Sequence, residues 1–256
     1  MHYTAVILAA GYGSRIRELT KDPKSLLIIN GKTLLEWHLE HLDRLDFNKV
    51  IIVVGYQDEK IVDQIRLDKY NATIEFVRNT DYENKGNAYS MYLGLDMTNH
   101  NDSIIIIDAD LVYGHEVILN FIKDPNPDSL LIGEGTLDNM ECAKTLTDLN
   151  GYVRKTIDKR FISNEELEKY IFVGEAIGMI KISKKNRSNI INICKDFFEN
   201  GKNLPLNWEH LMNVYFKKNS MNTYMDKTNY WIEIDTPKDF QDAINLFSKK
   251  DIVPIE

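Results

Sequence analysis

Three short, almost wholly apolar segments constrain this chain more than anything else in it. Tyr3–Ala9, Lys49–Val54 and Ser103–Ile107 are dominated by Val, Ile, Leu and Ala, and each is followed closely by glycine or aspartate. A strand that is apolar on both faces needs cover on both, and a parallel sheet between two helical layers supplies it. The intervening segments fit that arrangement. Lys32–Leu45 carries Leu34, Leu35, Trp37, Leu39, Leu42 and Leu45 at helical spacing behind a turn at Asn30-Gly31. Ile61, Val62 and Ile65 fit a short helix, Thr73–Val77 a further strand and Asn87–Met97 a further helix. Strands alternating with helices in this way predict a Rossmann-like, doubly wound α/β fold with a mixed, mostly parallel sheet.

After residue 115 the pattern changes. Ala143–Leu149 and Tyr152–Ile157 flank Asn150-Gly151, which predicts a hairpin with a type I′ turn. Ile171–Ile182 reads as a strand, Ile190–Phe198 and Trp208–Phe216 as helices, and Met221–Met225 and Trp231–Ile234 as short strands. Pro237 opens a closing helix at its first turn. The second half is therefore expected to add antiparallel β structure to the same sheet. With no internal repeat and no Pro/Gly/Ser-rich linker, residues 1–256 are expected to form one domain. Its parallel part would span about 1–115 and its antiparallel part about 116–256.

Composition excludes several classes. Hydrophobic residues make up 43% and charged residues 27%, which argues against a disordered or low-complexity chain. No apolar run approaches the ~20 residues that cross a bilayer, and Met1-His2-Tyr3-Thr4 lacks the basic start of a signal peptide. Two cysteines, Cys142 and Cys194, cannot build a disulfide framework, so a cytoplasmic location is expected. Lys and Arg number 31 against 39 Asp and Glu, a net charge of −8. Such a chain is poorly suited to nucleic acid, whose phosphates ask for a basic face. No membrane partner is expected either, and no feature of the pattern assigns an oligomeric state.

One stretch runs against the acidic total. Leu8-Ala9-Ala10-Gly11-Tyr12-Gly13-Ser14-Arg15 leaves the first strand through small residues, and Pro23-Lys24 follows. Residues 15–24 hold four basic groups (Arg15, Arg17, Lys21, Lys24) against two acidic ones (Glu18, Asp22). Glycines let backbone amides approach a phosphate, yet the third glycine of a dinucleotide fingerprint and the Gly-Lys-Ser/Thr of a P-loop are both missing. The combination resembles the nucleotidyltransferases that make sugar-nucleotides and CDP-activated compounds, whose pattern is Leu-Ala-Ala-Gly-x-Gly-x-Arg followed a dozen residues later by Pro-Lys. That resemblance implies a fold of the nucleotide-diphosphosugar transferase type. It implies that Leu8, Ala10, Gly11, Gly13 and Ser14 bind the nucleotide, and that Arg15 and Lys24 are catalytic through the phosphates.

Two acidic motifs complete the pattern. Asp108-Ala109-Asp110 follows a buried strand, where ligands of open α/β sheets bind. Side-chain alternation is read as aiming one of the two carboxylates into the cleft. The resemblance selects Asp110 as a metal ligand and leaves Asp108 to the nucleotide. Glu233-Ile234-Asp235 resembles the late metal-binding aspartate of the same family, although Asp235 also suits the N-cap of the helix opened by Pro237. Asp110 and Asp235 are thus expected to hold Mg²⁺, which takes few carboxylates and shares phosphate oxygens. Asp108-Ala109-Asp110 alone also resembles the Asp-x-Asp of glycosyltransferases, but those generally lack the Gly-x-Gly-x-Arg loop with Pro-Lys.

Asn87-Ala88-Tyr89-Ser90-Met91-Tyr92-Leu93 and Trp208-Glu209 resemble the cytidylyltransferase subgroup acting on phosphocholine or phosphoglutamine. Asn79, Asn87 and Ser90 are the expected contacts to the base, the other reading of Asn87 being a helix cap. Glu175, Glu209, Trp208 and Tyr230 are the expected acceptor contacts. Tyr170, Phe172 and Trp231 could join an aromatic cage for a choline head, and Arg154, Lys155 and Lys181 could meet an acceptor carboxylate. The expected activity is Mg²⁺-dependent transfer of CMP from CTP to a small phosphorylated acceptor, phosphoglutamine narrowly ahead of phosphocholine, in capsule or surface polysaccharide modification. The rival expectations are a hexose-1-phosphate uridylyl- or thymidylyltransferase and a degenerate nucleotide-binding regulatory subunit. His38 and His41, three apart with no third ligand, are read as surface or satisfied core residues, and both cysteines as small apolar fillers.

Overall fold

The computed structural model describes residues 3–248, so Met1 and His2, on which the leaderless start was read, lie outside the described residues. In chain order the first half runs β1 (Tyr3–Ala9), β2 (Ile28–Ile29), β3 (Lys32–Thr33), α1 (Leu34–Arg44), β4 (Lys49–Val54), α2 (Asp58–Gln64), β5 (Thr73–Arg78), α3 (Asn87–Asp96) and β6 (Ser103–Asp108). Then come β7 (Leu111–Tyr113), α4 (His115–Lys123), β8 (Ser129–Gly133), β9 (Lys144–Thr147), β10 (Val153–Ile157), α5 (Asn164–Lys169) and β11 (Ile171–Ile182). The chain closes with α6 (Arg187–Phe198), α7 (Trp208–Lys218), β12 (Asn222–Met225), β13 (Trp231–Glu233) and α8 (Pro237–Phe247). Helices α4 and α5 and strands β2, β3, β7 and β8 are additions to the sequence expectation.

β6, β1, β4 and β5 lie side by side and pair in parallel. β11 then joins β6 antiparallel and carries β9 and β8, with β10 beyond β9 and β12 parallel to β8. The α/β architecture expected above, parallel strands followed by an antiparallel elaboration, is the one observed. Alternation along β1 fills two cores. Val6 and Leu8 pack with Ile51, Val53 and Ile104 under α3, α6 and α7, and Ala5, Ile7 and Ala9 pack with Leu35, Leu39 and Ile52 under α1 and α4. Each fully buried Val, Leu or Ile stabilises the fold by roughly 1.5–3 kcal/mol.

The two Asn-Gly turns reverse the expectation. At Asn30-Gly31 both residues have positive φ (50° and 79°), the type I′ geometry that joins β2 to β3. At Asn150-Gly151 only Gly151 is positive, at 81°. Its N–H bonds Asp148 O at 3.0 Å while Asp148 N–H bonds Tyr152 O at 2.9 Å. That is a three-residue loop, a turn followed by a left-handed glycine. Its stabilisation comes from Asp148, whose carboxylate accepts the N–H groups of Asn150 and Tyr152 at 2.9 and 3.1 Å. The helix expected from Lys32 starts two residues later, because Lys32 and Thr33 form β3 and Thr33 caps α1 in a capping box with Glu36.

His38 and His41 belong to the core rather than the surface. His38 Nδ1 lies 3.1 Å from Tyr113 Oη, and His41 Nε2 donates to Tyr113 O at 2.9 Å. Burial pushes them down, His38 to about 4 and His41 to about 3. Because both folded values lie below the unfolded ~6.5, the unfolded chain takes up these protons first. Stability is therefore complete above pH ~6.5 and is lost as pH falls toward 4, by up to ~1.4 kcal/mol per pH unit for each histidine. Denaturant midpoints should fall between pH 6.5 and 4.5 more steeply in the native protein than in His38→Asn/His41→Gln, which keeps both hydrogen-bonding positions. Equal slopes would contradict this account.

Candidate active site

The site forms where β1 and β6 end. Their register pairs Leu8 with Asp108, so the loop after β1 and the carboxylates after β6 leave the sheet side by side. β11 runs the other way and brings Gly178 to the same end. Gly178 has φ +56°, and a Cβ there would lie 2.9 Å from Asp108 Oδ2, so only glycine lets β11 pass so close. β13 pairs with β7, and Ile234 N–H bonds Asp110 O at 3.0 Å, which delivers Asp235 to Asp110. The result is a cleft of about 370 Å³.

Lys24 lies at its centre. The chain after Gly13 makes a 3₁₀ turn at Ser14–Ile16, and a second at Lys24–Leu26 begins after Pro23. From there Lys24 Nζ reaches Asp110 Oδ2 at 2.9 Å and Asp235 Oδ1 at 2.8 Å. Burial alone would pull the Lys24 ammonium down, but Asp110 and Asp235 together outweigh it and hold it above its ordinary value. Arg15 contacts Asp235 Oδ2 at 2.7 Å and Glu141 Oε2 at 3.1 Å across the cleft. Asp235 is raised by burial but lowered more by Lys24 and Arg15, and stays ionised below the usual carboxylate range. The capping alternative for Asp235 falls away, because Thr236 caps α8 by accepting Asp239 N–H. Arg17 turns out of the cleft and stacks between Tyr12 and Tyr56, 4.2 and 4.4 Å from their ring centroids.

Both Asp108 and Asp110 line the cleft, against the expectation that only one does. Residues two apart on extended chain share a face, so alternation could not separate them. Asp108 accepts Trp208 Nε1–H at 2.9 Å, and burial, then Asp110 and Glu209, push it well above the carboxylate range. Glu233 is raised likewise by burial, then by Asp110 and Asp235. Glu209 Oε2 is buried without a partner, and burial with Asp158 pushes the carboxyl up to about 7. Asp110, Glu233 and Asp235 each offer an oxygen within 4.8 Å of the others, and Asp110 Oδ1 is a buried acceptor with no protein donor. That donor set, all carboxylate oxygen with an unused lone pair, fits a hard divalent cation.

Of the expected nucleotide contacts, Leu8, Ala10, Gly11, Gly13, Ser14, Asn87, Ser90 and Asp108 line the cleft. Asn79 is buried one layer behind, donating to Ser90 Oγ at 3.1 Å. Asn87 caps no turn of its own helix. It accepts Trp208 N–H at 2.7 Å and so ties α3 to the start of α7. Of the expected acceptor contacts, Trp208 and Glu209 line the cleft and Glu175 and Tyr230 do not. Glu175 sits against Gly135 and Cys142, and Tyr230 stacks on Phe247 at 4.6 Å between centroids. Tyr170, Phe172 and Trp231 also stay outside it. So do the three basic candidates. Arg154 binds Asp148, Lys155 binds Glu166, and Lys181 is buried on the carbonyls of Phe121 and Asp124. Glu233, Lys85, Glu141, Asp158 and Lys159 line the cleft and were not anticipated. The i, i+2 spacing of Glu233 and Asp235 carried the signal for the first of them.

Residues 5–130, close to half of the chain, match the MobA-like NTP transferase domain. That stretch is a nucleotidyltransferase domain. The whole chain is 24% identical over 255 residues to a CTP:phosphoglutamine cytidylyltransferase of Campylobacter jejuni, covering 93% of this chain and 97% of that protein. It is 38% identical over 107 residues to a choline-phosphate cytidylyltransferase of Streptococcus pneumoniae, a match to 41% of this chain and 44% of that protein. In fold it is similar to the CTP:phosphocholine cytidylyltransferase structure from S. pneumoniae, with TM-score 0.75 and 24% identity over 96% of this chain and all of that one. An inositol-1-phosphate CTP transferase from T. maritima gives TM-score 0.74 at 21% identity over 100% of this chain and 98% of that one. Among the described residues no helix is long and apolar enough to cross a membrane.

The Trp208–Asp108 bond joins α7 to the end of β6 and is open to a direct test. Trp208→Phe should destabilise the protein by at least ~1 kcal/mol by leaving a buried carboxyl oxygen without its donor. In an Asp108→Asn background the same change should cost less, read as denaturant midpoints in a double-mutant cycle. Equal costs in both backgrounds would show that the bond contributes nothing.

Proposed function

We propose that the chain is a nucleotidyltransferase that transfers CMP from CTP to a small phosphorylated acceptor and releases pyrophosphate. The observation that carries the reading is the constellation of Arg15 and Lys24 against Asp110, Glu233 and Asp235 at the end of the parallel strands. In this reading residues 1–256 work as one domain, with a nucleotide-binding part of about 1–115 and an acceptor-binding part of about 116–256. Leu8, Ala10, Gly11, Gly13, Ser14, Asn87, Ser90 and Asp108 receive the nucleotide, and Asn79 holds Ser90 in position.

An oxygen of the acceptor phosphate attacks the α-phosphorus of CTP. The new P–O bond forms as the bond from that phosphorus to the bridging oxygen breaks, and pyrophosphate carries the electron pair away. No general base is needed, because the acceptor phosphate is already ionised. Charge builds on the leaving pyrophosphate, and Arg15 and Lys24 are fixed cations at the place where it develops. Asp110 and Asp235, with Glu233, would hold Mg²⁺, which when bound neutralises phosphate charge and orients the phosphates.

The acceptor is phosphoglutamine narrowly ahead of phosphocholine, and the product serves capsule or surface polysaccharide modification in a cytoplasmic enzyme. Two features support that order. The C. jejuni relative aligns along 97% of its own length. The aromatic side chains lining the cleft are Tyr82 and Trp208, and Trp208 is already engaged by Asp108, a meagre cage for a quaternary ammonium. Carboxylates are plentiful: Asp158 and Glu209 line the same wall and suit a primary ammonium. Arg15, Lys24, Asp110 and Asp235 are all in place, which counts against a degenerate subunit.

Pyrophosphate release with CTP, UTP, dTTP and GTP against phosphoglutamine, phosphocholine and hexose 1-phosphates tests the reading. CTP with phosphoglutamine should be the fastest pair. Activity confined to UTP or dTTP with hexose phosphates would overturn the cytidylyl reading, and no release with any pair would favour a binding subunit. Lys24→Ala should lower kcat by about 10²–10⁴-fold at unchanged thermal midpoint or better. Near-normal kcat would remove Lys24 from catalysis.

A further inference from the structure

Lys24 occupies the oxygens that the proposed cation needs. Its ammonium is 2.9 Å from Asp110 Oδ2 and 2.8 Å from Asp235 Oδ1, and the second oxygen of Asp235 is taken by Arg15 at 2.7 Å. The three carboxylates that could share a cation, Asp110, Glu233 and Asp235, therefore have two of their number already neutralised by the two side chains assigned to the phosphates. Lys24 is itself largely buried, with a side chain 12% exposed, so it has little freedom to swing into water. An ammonium and a divalent cation cannot share the same oxygen atoms at bonding distance, since their mutual repulsion adds to the steric conflict.

We propose that Lys24 is an internal stand-in for the divalent cation, which makes cation binding and triphosphate binding conditional on each other. The inference rests on the functional reading above and adds to it an order of exchange. For a divalent cation to take the Asp110 and Asp235 oxygens, Lys24 must leave them, and a triphosphate gives its ammonium a new anionic partner. For a triphosphate to take Lys24 and Arg15, the abandoned carboxylates need another cation. Each ligand vacates the other's place. By linkage the coupling is reciprocal, and coupling of this kind typically changes affinity by about 5–150-fold. The exchange also keeps the cleft close to charge balance at every stage, so that neither three bare carboxylates nor two bare cations are left in a poorly solvated site.

Mn²⁺ is the probe, because its binding is read by the loss of free-ion EPR signal without any turnover. In the native protein Mn²⁺ alone should bind weakly, and a non-hydrolysable CTP analogue should tighten it at least 10-fold. Lys24→Met should bind Mn²⁺ without nucleotide about 10-fold or more tighter than the native protein, and should lose most of the tightening by the analogue. Lys85→Met is the control. Lys85 lines the same cleft but pairs with Asp81 at 3.6 Å rather than with these carboxylates. It should leave Mn²⁺ affinity within about twofold, so that equal gains in the two variants would reduce the effect to general charge and overturn the proposal. If Lys24→Met folds poorly, Arg15→Gln frees one oxygen of Asp235 and should give a smaller gain of the same sign. A thermal midpoint raised more by Mn²⁺ in Lys24→Met than in the native protein would report the same exchange. Unchanged Mn²⁺ affinity in both Lys24→Met and Arg15→Gln would end the proposal, while pyrophosphate release by the native protein would still uphold the functional reading. A native protein with no pyrophosphate release but with tighter Mn²⁺ binding in Lys24→Met would instead retain the exchange and end the functional reading.

Discussion

The parallel pairing of β1 with β6 is the constraint from which the site follows. It sets Leu8 opposite Asp108, so a glycine loop carrying cations and a strand end carrying carboxylates must emerge at one edge of the sheet. Everything else is recruited to that edge. β11 crosses it at Gly178, β13 delivers Asp235, and α7 anchors to Asp108 through Trp208 and to α3 through Asn87. Lys24, Asp110 and Asp235 are separated by 86 and 211 residues in pairing, and their meeting is a product of topology rather than of local chain geometry.

Electrostatics explains why the edge is a site and not merely a junction. The chain as a whole carries −8, which read globally disfavours a polyanion. Locally the sign is mixed. Lys24 and Arg15 stand against Asp110, Asp235 and Glu141, and Glu233, Asp108 and Glu209 line the same cleft with their carboxyls pushed up by desolvation first and by neighbouring aspartates second. So many ionisable groups in one cleft are costly to bury, and such concentrations cluster where charge is handled during a reaction. Nucleotidyl transfer moves charge from a triphosphate to a leaving pyrophosphate, a task to which paired cations and carboxylates are suited.

Much of the fold was legible because its strands are buried on both faces. β1, β4 and β6 announce themselves as apolar runs, and α1, α3 and α7 by helical spacing. Short or shielded elements were not legible in the same way. β7 is three residues long and exists through its pairing with β13, and α4 begins at His115-Glu116, a polar start that hides the stripe of Val117, Ile118 and Phe121. Asn150-Gly151 reads as a type I′ turn by composition, yet Asp148 accepts the turn's N–H groups and draws it into a three-residue loop. In the cleft, Arg15, Lys24, Asp110 and Asp235 could be named from motifs. Glu175, Tyr230 and Lys181 were plausible by residue type alone, and the antiparallel second half turns each of them elsewhere. Lys85, Asp158 and Lys159 carry no motif and are recognisable only once α3, α7 and β10 have converged.

The central claim is that the α-phosphorus of a cytidine triphosphate is the atom transferred, and the fate of label from each end of CTP tests it most directly. With [α-³²P]CTP and phosphoglutamine, the label should appear in a cytidine diphosphate-linked product. With [γ-³²P]CTP it should appear only in pyrophosphate. Recovery of the γ-label on the acceptor, or as orthophosphate, would contradict the assignment and make the cleft a site for terminal phosphoryl chemistry instead.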